Sequence, residues 1–354
     1  MNLSCGIVGL PNAGKSTLFN ALIQKQQALA ASYPFATIEP NVGIVPVPDD
    51  RLAKLAEIVH TTSIIPSTIK FVDIAGIVKG AHKGEGLGNK FLSHIRETDL
   101  IVHVIRHFED KDVVVTGSDN PLEDLETVNT ELILADLQTL DNQHEPKTNA
   151  GKEEKIAWEI ILKAKAGLEK EITIRDMSWT AEELTVLQPL FLLTQKPAIY
   201  VLNVGENQLN DLPNIEKNVP KTPVIAICAK LESELAEFTD EERLEYLHDN
   251  HLDQTGLDRV VTTAFESVGL ISFLTAGEKE VRSWTIPKNT KAPQAAGVIH
   301  TDFIKGFIKA NCVTYHDFIT LGGWVKSKEA GAVRTEGKDY VVAADDVIEF
   351  MIGK

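Results

Sequence analysis

A short glycine-containing segment near the amino terminus carries the clearest chemical signal in the sequence. It follows the pattern G-x-x-x-x-G-K-[ST] and reads Gly9-Leu10-Pro11-Asn12-Ala13-Gly14-Lys15-Ser16. An apolar stretch precedes it and a helical pattern follows it, which favours a phosphate-binding loop between a strand and a helix. Its glycines let the backbone wrap around a phosphate with the N–H groups pointing inward. We predict that Lys15 bridges the β- and γ-phosphates and that the nucleotide-binding residues are Asn12, Ala13, Gly14, Lys15, Ser16 and Thr17.

Three oxygen-bearing side chains are predicted to bind Mg²⁺ beside the phosphates. The Ser16 hydroxyl is the usual ligand in this motif. Asp73 opens a D-x-x-G sequence at the end of a buried strand, so its carboxylate can hold a magnesium-bound water. Thr37, in a proline-bracketed loop between the two motifs, can offer a second hydroxyl. The N–H of Gly76 can meet the γ-phosphate, which makes Lys15 and Gly76 the predicted catalytic groups.

The segment after Asp73 predicts a conformational switch with slow chemistry. Residues 76–88 contain five glycines, which makes this segment costly to order. Contacts to a γ-phosphate would order it, and hydrolysis would release it. Ile77 stands where many switch nucleotidases carry a water-orienting Gln. Because an isoleucine cannot orient water by hydrogen bonding, we expect slow intrinsic turnover.

A second motif is predicted to select the base. Guanine-specific switch proteins carry N-K-x-D after a later strand, and here that position reads Asn203-Val204-Gly205-Glu206. A carboxylate one methylene longer than Asp should crowd the guanine edge, whereas the Asn203 amide offers a donor and an acceptor suited to adenine. We therefore predict ATP rather than GTP, bound through Asn203, Val204 and Glu206. The following Cys228-Ala229-Lys230 resembles the S-A-K loop that lies beside the base.

The elements that must position these residues are those of a doubly wound α/β sheet. Continuously apolar, strand-like runs alternate with helical patterns through residue 228, as in strands covered on both faces. Residues 120–175 instead read as a helical hairpin, the first half of which, 120–145, has seven acidic residues and no Lys or Arg. The alternative is two ordinary surface helices of the core. After about residue 276, short β-like stretches and one helix, 301–309, predict a small α+β domain.

Composition limits the partners. The formal net charge of −16 disfavours non-specific binding to nucleic acid or anionic lipid, so we expect no membrane partner and no specific DNA partner. Residues 278–311 are locally basic, with six Lys or Arg and three Asp or Glu. This stretch is therefore the best candidate for a surface that binds a polyanion. The three cysteines are far apart in the sequence, which is typical of a protein in a reducing compartment. No apolar run is as long as the ~20 residues that a transmembrane helix needs. We expect a cytoplasmic protein.

Several sequence runs together resemble the YchF-type Obg-like ATPases over essentially the whole chain. These runs are residues 9–17, 33–41, 73–81, 84–89, 203–206, 291–297 and 300–303. The resemblance implies a P-loop NTPase G domain in residues 1–127 and 185–276, a coiled-coil hairpin inserted at 128–184, and a carboxyl-terminal TGS domain of β-grasp fold at 277–354. It also implies ATP hydrolysis with Mg²⁺ and association with the ribosome.

Two further points follow from the resemblance. Asn12 resembles the residue with which certain relatives use K⁺, so K⁺ stands beside Mg²⁺ as a cofactor to test. Many relatives carry a His shortly after the fourth core strand, but residues 110–116 contain none. We therefore assign no catalytic His, and we expect His103 and His107 to be structural.

Other functions fit parts of the sequence. One is a GTP-hydrolysing translation factor, and another is a ribosome-binding module whose nucleotide only supports the fold, with negligible turnover. A P-loop small-molecule kinase fits least, because the sequence shows no acceptor pocket and no lid arginines. The leading hypothesis is a ribosome-associated switch that binds and slowly hydrolyses ATP.

Overall fold

The computed structural model describes residues 3–30, 41–74, 87–108, 120–250 and 252–353. The strands in chain order are β1 Leu3–Val8, β2 Val42–Pro46, β3 Ile64–Ile65, β4 Thr68–Asp73, β5 Leu100–Arg106, β6 Ala198–Asn203, β7 Val224–Ile227, β8 Leu270–Ala276, β9 Val281–Pro287, β10 Phe307–Thr314, β11 Arg334–Glu336 and β12 Asp346–Ile352. The helices are α1 Lys15–Ala30, α2 Arg51–Val59, α3 Leu87–Arg96, α4 Pro121–Asp141, α5 Lys152–Leu168, α6 Ala181–Leu187, α7 Leu212–Lys217, α8 Ala229–Leu235, α9 Asp240–Asp249, α10 Gly256–Ser267, α11 Ala292–Ile299, α12 Asp302–Gly306, α13 Tyr315–Leu321 and α14 Trp324–Glu329.

Two compact units share the chain. The larger unit comprises Ser4–Ile44 and Lys70–Val260, and the smaller one comprises Met1–Leu3, Val45–Ile69 and Val261–Lys354. None of the described helices is both long and apolar enough to cross a bilayer.

The larger unit is built on a six-stranded sheet in the order β2-β4-β1-β5-β6-β7. The pairs β1–β5, β5–β6 and β6–β7 are parallel. The residues of β1, β5 and β6 are almost all buried, which explains why their sequences are continuously apolar. The predicted α/β fold is confirmed. In a parallel sheet of this kind, the carboxyl ends of neighbouring strands lie at one edge, where ligands bind.

Helix α4 packs against both the sheet and the next helix. It begins with a side-chain cap, in which Asn120 accepts a hydrogen bond from the Leu122 N–H at 3.1 Å. Val128 and Leu132 belong to the core that includes Val8 and Ile101. Ile133 and Leu140 of the same helix pack with Ile160, Ala164 and Leu168 of α5.

The expected hairpin boundary at residue 128 therefore falls inside a continuous helix. The division into compact units also leaves the hairpin within the larger unit. The reason is that α4 carries two apolar faces, one for the sheet and one for α5. The sequence predicted the helix pair but did not show that its first helix closes the core of the sheet.

The smaller unit contains a second six-stranded sheet in the order β11-β10-β12-β8-β9-β3. Strand β8 pairs along its whole length with β9, from Leu270 opposite Pro287 to Ala276 opposite Val281. One apolar cluster includes Phe273, Ile286 and Ala296, and another includes Leu55 of α2 and Phe318 of α13.

This arrangement differs from the expected carboxyl-terminal domain of residues 277–354 in two ways. Residues 261–276 and the distant segment 45–69 both lie in the smaller unit. The helix expected over 301–309 is also shorter, because the chain enters β10 at Phe307. Strand pairing between distant segments leaves no mark in local composition, so sequence patterns could not have placed β3 in this sheet.

Candidate functional site

The phosphate-binding loop lies between the end of β1 and the start of α1, as the motif predicts. Two of its glycines have positive φ angles, 154° at Gly9 and 93° at Gly14. A Cβ on Gly9 would lie 2.3 Å from the carbonyl oxygen of Val104, and one on Gly14 would lie 2.0 Å from Nδ2 of Asn203. Both positions therefore require glycine for space as well as for backbone conformation.

The one lysine of the loop is buried at its base. Lys15 is 8% exposed, and its Nζ donates a hydrogen bond to the carbonyl oxygen of Leu10 at 2.7 Å. Burial lowers the pKa of Lys15, and the nearby Asp73 carboxylate opposes this change. Burial raises the pKa of Asp73, and the Lys15 ammonium opposes that change in turn. A buried ammonium with only a half-buried carboxylate nearby is well suited to an anionic ligand such as a phosphate.

Asn203, at the end of β6, connects three parts of the site. Its Nδ2 donates to the carbonyl oxygen of Ala13 at 3.1 Å, and its Oδ1 accepts from the N–H of Ala229 at 3.0 Å. The side chain therefore ties the phosphate-binding loop to the start of α8. Asn203 is also only 6% exposed.

The hydrogen bonds to Ala13 and Ala229 use one N–H and one oxygen lone pair of the Asn203 amide, which has two of each, so direct contact with adenine stays a prediction. The carbonyl of Ala13 accepts from Asn203, and Ala13 is not among the residues that line the cavity described next, so its contact with a nucleotide also stays a prediction. Both residues shape the loop, and Asn203 also lines the cavity.

A cavity of about 740 Å³ opens beside the phosphate-binding loop. The predicted residues that line it are Asn12, Gly14, Lys15, Ser16, Thr17, Asn203, Val204 and Glu206. Phe108, Gly205, Asn207, Cys228 and Lys230 complete the lining. Its volume is within the range typical of small-molecule sites. Val204 is 2% exposed and packs in an apolar cluster with Leu202 and Ala226, so its side chain belongs mainly to the core.

Phe108 and Asn207 are the cavity residues that sequence reasoning missed. Phe108 follows β5, the strand between β1 and β6, so its position after a central strand was a usable signal. The guanidinium carbon of Arg106 lies 4.7 Å from the centre of the Phe108 ring, and Arg106 Nε donates to the Phe108 carbonyl at 3.2 Å. An aromatic ring in this position offers a stacking surface for a planar ligand.

A charged pair stands at the end of the cavity formed by the loops after β6 and β7. Lys230 Nζ lies 2.8 Å from Oε1 of Glu206, with the two side chains 72% and 55% exposed. The hydrogen bond to Glu206 is the main cause of a raised pKa for Lys230. The cavity lining thus combines the cationic Lys15 of the phosphate-binding loop with an ion pair, Glu206–Lys230, on the loops after β6 and β7.

The predicted metal ligands are only partly placed. Ser16 is exposed at the start of α1, and Asp73 is half-buried at the end of β4. Thr37, Gly76 and Ile77 lie outside the described residues. The described part of the chain contains no group of three or more His, Cys, Asp or Glu that could hold a metal. A hydroxyl and one carboxylate fit Mg²⁺, which usually takes few protein ligands and completes its shell with phosphates and water.

His103 on β5 is structural, as expected. It is 3% exposed, and its ring centre lies 5.9 Å from that of Tyr200 on β6. Burial lowers its pKa to about 3, and the positive charges of Arg175 and Lys15 act in the same direction. The side chain is therefore neutral at physiological pH.

Comparisons with known proteins bear on this site and on the whole chain. A family model described as "50S ribosome-binding GTPase" matches residues 4–152, and the carboxyl-terminal YchF GTPase model, described as "Protein of unknown function (DUF933)", matches residues 270–353. Proteins named "Ribosome-binding ATPase YchF" are 48% identical in Bacillus subtilis and 49% identical in Haemophilus influenzae. The Bacillus alignment covers 99% of each chain. This chain belongs to the YchF family.

A solved YchF structure agrees with the fold. The Schizosaccharomyces pombe YchF GTPase superimposes with a TM-score of 0.87 at 37% identity, over 99% of this chain and 98% of that one. The YchF carboxyl-terminal match begins at Leu270, the first residue of β8. The family match and the second sheet therefore agree that β8 belongs with the carboxyl-terminal part of the chain.

Proposed function

We propose that this YchF protein is an ATPase switch that binds the ribosome. The observation that carries the nucleotide part is a cavity lined both by Lys15 of the phosphate-binding loop and by the Glu206–Lys230 pair. The curated relatives support the proposal, since they are named ribosome-binding ATPases. The name of the fission yeast structure, a GTPase, keeps GTP as the alternative nucleotide.

The protein's own groups would act mainly by positioning and charge stabilisation. Lys15 and the backbone N–H groups of residues 12–17 would hold the phosphates and stabilise charge on the transferred phosphoryl group. Gly76 would add an N–H to the γ-phosphate. Because Ile77 replaces a water-orienting Gln, hydrolysis should be slow and the main product would be a conformational change of the switch segment.

Ser16, Asp73 and Thr37 are the side chains proposed to hold Mg²⁺, which neutralises phosphate charge when it is bound. The hydroxyl and carboxylate present at Ser16 and Asp73 fit this role. A K⁺ site beside Asn12 stays a prediction from the resemblance. Nucleotide binding and phosphate release measured in K⁺ and in Na⁺ test it.

Nucleotide competition tests the choice of base. The purified protein would be saturated with a labelled ATP analogue in Mg²⁺, and unlabelled ATP or GTP would displace it. We expect ATP to displace at lower concentration, and Lys15→Met should abolish binding of both. A strong preference for GTP would instead support the translation-factor alternative. Phosphate release that stays at background with ribosomes present would support a module with negligible turnover.

The ribosome contact is proposed to include the basic stretch 278–311 of the smaller unit. Lys291 in this stretch pairs with Asp339 at 2.7 Å, so Lys288 and Lys305, both exposed, are the better probes. Lys288→Glu and Lys305→Glu should weaken ribosome co-sedimentation more than Lys54→Glu, an exposed control in the same unit. Equal binding of all three variants at every salt concentration would exclude an electrostatic contact here.

A further inference from the structure

The paired end of the cavity carries a second charge that the base-selecting motif does not include. In proteins that read guanine with a carboxylate, that carboxylate accepts hydrogen bonds from two neighbouring donors of the base, N1–H and the N2 amino group. Here Oε1 of Glu206 already accepts from the ammonium group of Lys230 at 2.8 Å. An ammonium donates only, and a carboxylate accepts only, so the pairing takes up one acceptor site on Oε1 and leaves the other oxygen open.

The backbone positions of both residues are set by contacts within the protein. The N–H of Gly205 donates to Oε1 of Gln208 at 2.8 Å, which holds the turn that begins at Glu206. The N–H of Val204 donates to the Ile227 carbonyl at 2.8 Å. Asn203 binds the N–H of Ala229, the residue before Lys230. These contacts fasten the two loops to each other and bring the Lys230 and Glu206 side chains within reach of one another.

This pairing affects the two purines differently. Guanine presents two adjacent donors, which a carboxylate meets with its two oxygens side by side, and here the Lys230 ammonium competes with the base for one of those oxygens. Adenine has a single exocyclic amino group and no proton on N1, so one free oxygen of Glu206 is sufficient. The ammonium beside the carboxylate also places a donor near the donor edge of guanine, which is unfavourable.

We propose that Lys230 is a specificity-determining residue, which favours ATP over GTP by competing with the base for one oxygen of the Glu206 carboxylate. The proposal deepens the proposed function and rests on it, because it assumes that a purine lies at this end of the cavity. Lys230 acts on the base through Glu206, so its effect appears in the ratio of two affinities. Contacts to the phosphates are common to ATP and GTP and cancel in that ratio.

The test measures dissociation constants for ATP and GTP on the wild-type protein and on Lys230→Met, a neutral side chain of similar length. Because the pair is exposed, we expect the ratio of the GTP constant to the ATP constant to fall about twofold to fivefold in Lys230→Met. Lys230→Arg, which can still pair with Glu206, should keep the wild-type ratio. Lys165→Met is the control, since it removes another lysine paired with a carboxylate, the partly exposed Lys165 beside Asp141, outside the cavity.

A double-mutant cycle separates pairing from a general effect of the lysine. In the Glu206→Gln background the carboxylate is gone, so Lys230→Met should no longer change the ratio. Salt gives a second readout that needs no variant. Raising the ionic strength screens an exposed pair, so the wild-type ratio should fall with salt while that of Lys230→Met stays constant.

The outcomes distinguish this inference from the proposed function. If Lys230→Met binds ATP but keeps the wild-type ratio, or if its effect persists in the Glu206→Gln background, the role of Lys230 is refuted and the ATPase proposal stands. If the wild-type protein prefers GTP, or binds neither nucleotide, the proposed function itself fails. A falling ratio that Lys230→Arg restores would support the inference.

Discussion

Replacing Asn203 with alanine would remove both hydrogen bonds that join the phosphate-binding loop to the start of α8. The partners left behind are backbone groups of Ala13 and Ala229, which are 2% and 1% exposed. A buried polar group that loses its partner costs about 1–3 kcal/mol, so the two together cost about 2–6 kcal/mol. If about 2 kcal/mol of this cost destabilises the loop conformation that binds the nucleotide, nucleotide affinity drops about 30-fold.

The decisive quantity is again the ratio between nucleotides. Because the two hydrogen bonds of Asn203 in the structure hold the loop, we expect ATP and GTP to weaken by the same factor in Asn203→Ala. Fluorescent-nucleotide displacement measures both affinities, and urea unfolding of the same sample confirms that the variant is folded under the assay conditions. Asn214→Ala is the control, since the Asn214 amide is exposed and binds only Asp211 at 2.6 Å among the hydrogen bonds described.

Two results would refute this reasoning. If Asn203→Ala lost affinity for ATP alone, Asn203 would read adenine as the sequence first indicated, and its bonds to the loop would not be its main contribution. If both affinities were unchanged while the protein stayed folded, the bridge to Ala13 would not matter for the loop.

Two further predictions concern stability. Asp136 on α4 accepts three hydrogen bonds from the turn before β6, two from backbone N–H groups and one from a hydroxyl, at 2.6–2.8 Å. Asp136→Ala should therefore lower the free energy of unfolding by about 3–5 kcal/mol. The control Asp141→Ala, on the exposed part of the helix, should lower it by less than about 1 kcal/mol. Equal urea midpoints for the two variants would contradict this prediction. His103 keeps a pKa of about 3 when folded, against 6.5 ordinarily, so only the unfolded state takes up its proton as pH falls below 6.5. Protonation of His103 in the unfolded state should then lower the free energy of unfolding by about 1.4 kcal/mol for each pH unit below 6.5, toward pH 5. His103→Gln should reduce this dependence on pH more than the exposed control His248→Gln does.

The phosphate-binding loop could be predicted from the sequence because its structure depends on neighbouring residues. Gly9, Gly14 and Lys15 act within one turn between a strand and a helix, and the apolar runs on either side predicted those elements. The parallel sheet and the helix pair were predictable for the same reason, since periodicity reports which faces are buried. The extents of the elements were less predictable, as α4 and β10 show, because packing partners far along the chain decide them.

Base selection required the tertiary structure. Asn203 and Ala13 are 190 residues apart, and they meet because β1, β5 and β6 are neighbours whose carboxyl ends share one edge of the sheet. The same topology brings Phe108 and Lys230 to the cavity. The motif after β6 indicated a departure from guanine recognition, but it could not show that Asn203 is hydrogen-bonded to the loop or that Glu206 is paired with Lys230.

The sequence by itself determined the nucleotide chemistry and the family, because a P-loop and its accompanying motifs specify their function over short runs of residues. Only the tertiary structure decided which of these residues face the cavity, which ones hold it in shape, and that residues 45–69 belong with the carboxyl-terminal sheet. The physical reason is that side-chain pairing and strand pairing depend on distance in space. Separation along the chain does not encode that distance.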